Sequence, residues 1–278
     1  SGSTNYAAMN ISSTYIDDPY ASLLISNNEL DGANGSLLIH KCQINRYEYG
    51  ISLDQIDNAK IAHNNIYDHD YGGIYLHDSN NNSIMHNTAS DNGIEYKNAY
   101  GIYLMNSDDN TILNNTASNN GQGTSGIGYG IYLENSNENA LTNNTASNNG
   151  ENGEKGYGIF LESVTNNSLT DNTVAYTGTN PGDGIVFQFS DNNTLISNNV
   201  TSTGYDGYGI LLRVSDNNTL IENIISSFQY GLFLNFSNDN SFADNEITGK
   251  SSEPITTYGM YLQDSGRNNI TGSTLSGS

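Results

Sequence analysis

Residues 100–115 read YGIYLMNSDDNTILNN, and this stretch carries the architecture of the chain. Ile102 and Leu104 fall on one side of an extended backbone and Tyr103 on the other, the two-residue period of a β-strand. The polar run Asn106-Ser107-Asp108-Asp109 turns the chain, and Ile112 is the inward residue of a second short strand. Asn115 marks a second corner, and Ala117, two residues on, is the inward position of a third strand.

The same pattern, Y-G-I-x-L-x-x-S-x-x-N-x-I-x-x-N, opens again at Gly50, Gly73, Gly130, Gly158, Gly184, Gly209, Gly231 and Gly259, in steps of 22 to 29 residues. A constant core with a variable period places the insertions at one corner, and segments 118–128 and 147–156, rich in Gly, Asn and Ser, read as loops. Three short strands per repeat make a triangular coil that cannot bury its own apolar face. Stacking coils at about 4.8 Å buries it. The predicted fold is therefore all-β, a right-handed single-stranded parallel β-helix of about nine to eleven coils, with handedness taken from the bias of parallel crossovers. Residues 37–278 form the solenoid and residues 1–36, which fit the repeat poorly, are expected to be a cap or irregular first coils.

Two asparagine columns, one through Asn82, Asn110 and Asn139 and one through Asn87, Asn115 and Asn144, fall at corners, where Asn tolerates left-handed backbone and can bond from coil to coil. A serine column through Ser79, Ser107 and Ser136 does similar work. The tyrosines before glycine, such as Tyr100, Tyr129 and Tyr157, look architectural, with glycine required by a sharp corner.

Composition narrows the function. Twenty Tyr and a steady supply of Ile and Leu argue against disorder, and the lack of 3.6-residue periodicity argues against a compact α/β domain. Eight Lys and Arg against 30 Asp and Glu give a net charge of −22, which excludes nucleic acid as a partner and attracts cations. No apolar run is long enough to cross a membrane. The single cysteine, Cys42, cannot form an internal disulfide and offers a route to pairing between chains, as does an open coil edge. Sequons at Asn10, Asn34, Asn114, Asn235 and Asn269 are compatible with a glycosylated surface protein.

The repeat resembles that of the NosD-like and carbohydrate-binding/sugar-hydrolase superfamily of parallel β-helices over residues 49–275, with Ile39, Cys42 and Ile44 adding a further coil. The resemblance implies a secreted or cell-envelope protein, similar in its Asn and Tyr richness to archaeal surface proteins. It also implies polysaccharide or surface glycan as partner, or copper as ligand.

Three site readings follow. Tyr75, Tyr103, Tyr132, Phe160, Phe233 and Tyr261 alternate with buried residues and are expected to form an exposed aromatic face for glycan or a like subunit. This supports the leading reading, a non-catalytic structural or adhesive module with no cofactor. Asp68, His69 and Asp70 are candidate acid and base residues of a polysaccharide hydrolase, lyase or epimerase. Their D-H-D core is similar to the acidic-histidine motif of mannuronan C-5 epimerases, without its proline. Such an enzyme predicts a groove with converging carboxylates beside the loops near 90–99 and 118–128. His63 and His86 share a register position, predicting rings stacked about 4.8 Å apart. With Asp78 they are candidate ligands for a divalent metal, copper or calcium.

Overall fold

The computed structural model describes residues 8–12, 15–16, 23–26, 36–40, 43–45, 48–93, 98–123, 126–151, 155–176, 182–202, 207–249 and 257–276. No helix occurs among them. The strands assemble into the three faces of a parallel β-helix. The long strands that begin beside the repeat glycines, such as Ala99–Met105, Ile127–Glu134 and Lys155–Glu162, form a ten-stranded sheet. Three-residue strands such as Thr111–Leu113 form an eleven-stranded sheet. The third face consists of a four-stranded and a six-stranded sheet, joined through single parallel bridges from Thr116 to Thr88 and Thr145. Coil stacks on coil in register: Ile102 pairs with Ile74 and Ile131, and Ile112 with Ile84 and Leu141. Strands Ala8–Ser12, Tyr15–Ile16 and Leu23–Ser26 pair in parallel with the following coil and extend the faces through the described part of residues 1–36. Cys42 and Asn34 lie outside the described residues.

The core is one column of side chains from all three faces. Ile102, Leu104, Ile112 and Ala117 are fully buried, as are their counterparts in neighbouring coils. The asparagines satisfy the polar groups beside this core. The Asn115 amide donates to the Ile84 carbonyl at 2.9 Å and to Asn144 Oδ1 at 3.0 Å, while its own Oδ1 accepts the Asn87 backbone N–H at 2.9 Å. Each ladder residue thus ties three coils, and an unpaired member would leave buried groups at about 1–3 kcal/mol each. The serine column works in the same way: Ser107 Oγ donates to the Met105 carbonyl at 2.8 Å and accepts the Ser79 N–H at 3.0 Å.

The left-handed corner positions differ from the sequence expectation. The residue before each ladder asparagine adopts positive φ: Asn114 at 54° and Asn143 at 55°, rather than Asn115 or Asn144. The ladder residues need their amides aimed inward, so the exposed neighbour absorbs the turn. The glycine role also differs. The repeat glycines have no positive φ. A Cβ on Gly101 would instead lie 2.6 Å from the Gly130 carbonyl oxygen and 2.7 Å from Ala117 Cβ. Close approach of stacked backbones is what excludes a side chain there.

Candidate functional site on the long-strand face

Along each long strand the pleat breaks at the glycine. Gly101 and Ile102 both face the core, so Tyr100 and Tyr103 both face outward. The sheet therefore carries three outward columns: the tyrosine before glycine, an aromatic three residues later, and two further on a residue that is polar in most coils and Met105 in this one. Tyr100, Tyr103, Tyr129 and Tyr132 form a continuous stack with centroid spacings of 4.7–5.1 Å along its edges. The expected exposure of the middle column is corrected here. Tyr103, Tyr132 and Phe160 are buried because the tyrosines before glycine pack on them, and Tyr75 and Phe233 are half-buried. Of that set only Tyr261 is open, at 40%, and it lies on the last described coil, whose inward Leu262 is equally exposed. Tyr103 donates its hydroxyl to Glu134, and Tyr132 donates to Glu162 at 2.5 Å. Burial first, and these acceptors second, push both phenols well above their ordinary pKa.

The tyrosine column is interrupted at Asp183, the register partner of Tyr157, and the middle column narrows to Val186 and Leu211. Lys155 Nζ meets Asp183 Oδ2 at 2.7 Å and lies 4.9 Å from the Tyr157 ring centroid. Asp183 Oδ1 accepts the Tyr208 N–H at 3.0 Å. Burial raises the Asp183 carboxyl, and Lys155 pulls it back down.

Beyond the interruption the rings open into a groove of about 390 Å³. Tyr208, Tyr230, Phe233, Tyr258 and Tyr261 supply its aromatic walls, and Arg213, Asn235 and Gln263, register partners on three successive strands, its polar rim. Asn235 Oδ1 is buried with no hydrogen-bond partner among the described residues. Immediately after Gln188, Arg213 and Asn235 come Phe189, Val214 and Phe236, which are 52%, 44% and 53% exposed and have φ of 53°, 50° and 52°. Most other coils place Asn, Asp or Ser at this left-handed corner, as at Asn106, Asn135 and Ser163. A β-branched residue there is strained, and strain of this kind gathers at functional surfaces. Sequence reading missed this ridge and the groove. The signal was available as three consecutive apolar residues at a position otherwise polar.

The acid/base candidates stand in different surroundings. His69 is fully buried, its N–H donating to Asn92 Oδ1 at 3.2 Å and its Nε2 near Gly50. It stands in line with a third ladder through Asn92, Asn120 and Asn149, residues that the sequence places in loops. Asp68 is half-exposed and Asp70 exposed, whereas His69 between them is buried. A depression of about 200 Å³ does lie beside the loops following residues 90 and 118, lined by Asp91, Asn92, Gly93, Asn119 and Gln122. Among the described residues of that lining, Asp91 supplies a carboxylate.

His63 and His86 stack as predicted, centroids 4.8 Å apart and planes within 4°. They stand at the left-handed corner position, with φ of 56° and 55°. Asp78 belongs to the other corner of the coil, where its Oδ1 accepts the Asn106 amide at 3.1 Å and lies 3.7 Å from His77 Nε2. The proposed ligand trio is thus not assembled, and no group of three or more His, Cys, Asp or Glu able to hold a metal occurs among the described residues.

The chain belongs to the family described as periplasmic copper-binding protein (NosD), whose model matches residues 3–98, 38–208 and 205–278. Among solved structures it is similar to the Dettilon tailspike protein (gp208), at TM-score 0.61 and 13% identity over 93% of this chain and 51% of that one. It is also similar to the periplasmic alginate epimerase AlgG, at TM-score 0.53 and 14% identity over 86% of this chain and 77% of that one. The Azotobacter vinelandii mannuronan C-5 epimerase AlgE4 A-module gives TM-score 0.53 and 14% identity over 88% and 83%. The chain spans about half the length of the tailspike, and at these identities the likeness is one of fold. No curated protein matches the chain.

The copper named by the family does not fit the histidine pair. A metal must lie about 2 Å from each ligating nitrogen and near the plane of each ring. Two nearly parallel stacked rings direct their lone pairs side by side instead of toward one point.

Proposed function

We propose that this chain is a carbohydrate-binding β-solenoid of the cell envelope or extracellular space, engaging glycan through the groove on its long-strand face. The observation that carries the reading is the groove itself: rings at Tyr208, Phe233 and Tyr261 beside amides at Asn235 and Gln263. The C–H faces of sugar rings pack on aromatic faces while hydroxyls meet side-chain amides. The tailspike and epimerase neighbours support a solenoid suited to long polymers. The burial of His69 favours binding over catalysis at the Asp68-His69-Asp70 corner. Affinity electrophoresis against a panel of soluble polysaccharides tests the proposal. Binding that weakens about tenfold in Tyr261→Ala, the loss of one stacked ring, supports it. Absence of retardation by every polysaccharide overturns it.

A further inference from the structure

We propose that the groove is a subsite for a sugar bearing a carboxylate, with Arg213 reading the acid. This rests on the glycan-binding reading and narrows it to a substrate class, the uronate-containing glycans.

The charge distribution points there first. The chain has eight basic residues against a net charge of −22. Among the described residues Lys155 is paired with Asp183, and Arg267 with Asp239 through two bonds of 2.7 and 2.6 Å. Lys60 lies on the eleven-stranded sheet, away from the long-strand face. Arg213 is the basic residue of the groove rim, and no carboxylate lies within 4 Å of it among the described residues. Its own column changes sign on reaching the groove. Glu134 and Glu162 occupy that column in earlier coils and accept tyrosine hydroxyls, Gln188 follows, and Arg213 is next. A cation at the rim of an otherwise acidic protein attracts an acidic ligand locally while the rest of the surface repels loose polyanions.

The second observation is the orphaned oxygen. Asn235, the register partner of Arg213, buries Oδ1 without a donor. A buried acceptor left unmade is costly, and a rotation of the half-buried Asn235 amide toward the groove lets a sugar hydroxyl supply the donor. One sugar residue lying on Phe233 meets both groups at once: a hydroxyl toward Asn235 and an acid toward Arg213. The guanidinium fork matches the two coplanar oxygens of a carboxylate. A sulfate ester can also present two oxygens to the fork, and the sulfated galactan in the test separates the two acids.

The test is calorimetric binding of uronate oligosaccharides from polygalacturonate and mannuronan, their carboxyl-reduced neutral counterparts, and a sulfated galactan of similar length. Wild type is expected to bind at least one uronate series about tenfold tighter than its reduced counterpart, the increment of a charge-assisted hydrogen bond. Arg213→Gln should erase that difference, weakening the uronate series far more than the reduced one. Arg213→Lys, which keeps charge and loses the fork, should retain part of it. Equal affinity for acidic and reduced oligomers overturns the carboxylate assignment and leaves glycan binding standing, as does preference for the sulfated galactan. Equal weakening of both series by Arg213→Gln, with an unchanged circular dichroism spectrum, overturns Arg213 as the reader. No binding of any oligomer defeats both the assignment and the glycan reading.

Discussion

Tyr100 and Tyr103 stack at 4.7 Å with their rings 18° apart although they lie three residues apart on one strand. In an uninterrupted strand such residues point to opposite faces. Gly101 removes the alternation, since with no side chain it can turn inward against the next coil. The glycine column and the double aromatic column are therefore one device.

Adding a methyl group to that column should be costly in the middle of the stack. A Cβ on Gly130 would sit 2.5 Å from the Gly158 carbonyl oxygen and 2.7 Å from Ala146 Cβ. Gly130→Ala is expected to lose about 3 kcal/mol in urea denaturation. A loss below about 0.5 kcal/mol would show that the close approach is not what holds glycine there.

The ladder asparagines and their corner neighbours should separate just as clearly. Asn144 donates to the Ile112 carbonyl at 2.8 Å and to Asn172 Oδ1 at 3.0 Å, and accepts the Asn115 N–H at 2.9 Å. Asn144→Ala strands buried groups and is expected to cost about 3 kcal/mol. Asn143→Ala loses one exposed amide bond to Asn114 and puts alanine in left-handed backbone, an expected cost of about 1 kcal/mol. Thermal melts of the two variants measure the gap.

The buried phenols make the fold sensitive to alkali. Burial and the Glu134 and Glu162 acceptors hold the Tyr103 and Tyr132 protons above the ordinary phenol range. The unfolded chain loses those protons near pH 10, so above that pH it binds fewer than the folded chain and stability falls as pH rises. Ultraviolet titration should show the stacked tyrosines ionising together with loss of β circular dichroism. Ionisation of all tyrosines near pH 10 with the fold intact would contradict this.

At the interruption of the stack, Lys155→Met leaves Asp183 buried without its cation, an expected loss of about 2 kcal/mol at neutral pH given the partial exposure of the lysine. Burial already raises the Asp183 carboxyl, and losing Lys155 raises it further. The folded variant then holds that proton more tightly than the unfolded chain. Its penalty is full above the raised pKa and shrinks as pH falls toward the ordinary carboxylate range. Lys155→Met with Asp183→Asn should recover most of the loss and remove this pH dependence.

The fold was readable because each coil repeats its own instructions: alternating Ile102 and Leu104, an inward Ile112, ladder asparagines at fixed offsets. The stacking of His63 on His86 followed from register alone. Exposure was harder to read. Strict alternation places Tyr103 in solvent, and nothing local to Tyr103 reveals that Tyr100 folds over it. The burial of His69 was hidden for a related reason. Flanked by Asp68 and Asp70 it looks chemical, but its coil position is that of Asn92 and Asn120, and position along the stack outweighs neighbours along the chain. The groove depends on what is missing from a column, at Asp183, Val186 and Leu211, and appears only when coils are laid side by side.

The third ladder bears on how this molecule ages. Asn92, Asn120 and Asn149 are each followed by glycine, the pairing most prone to spontaneous deamidation through attack of the glycine nitrogen on the side-chain amide. Here Gly93, Gly121 and Gly150 hold their N–H groups against the carbonyls of His69, Asn92 and Asn120 at 2.6–2.7 Å, and the three amides are buried in the ladder. While the coils stay wound, the attacking nitrogen is occupied and its target locked in place. Once a coil opens, the reaction can proceed and leave an aspartate that no longer fits between its neighbours. At these three positions, deamidation is therefore paced by how seldom the coils part.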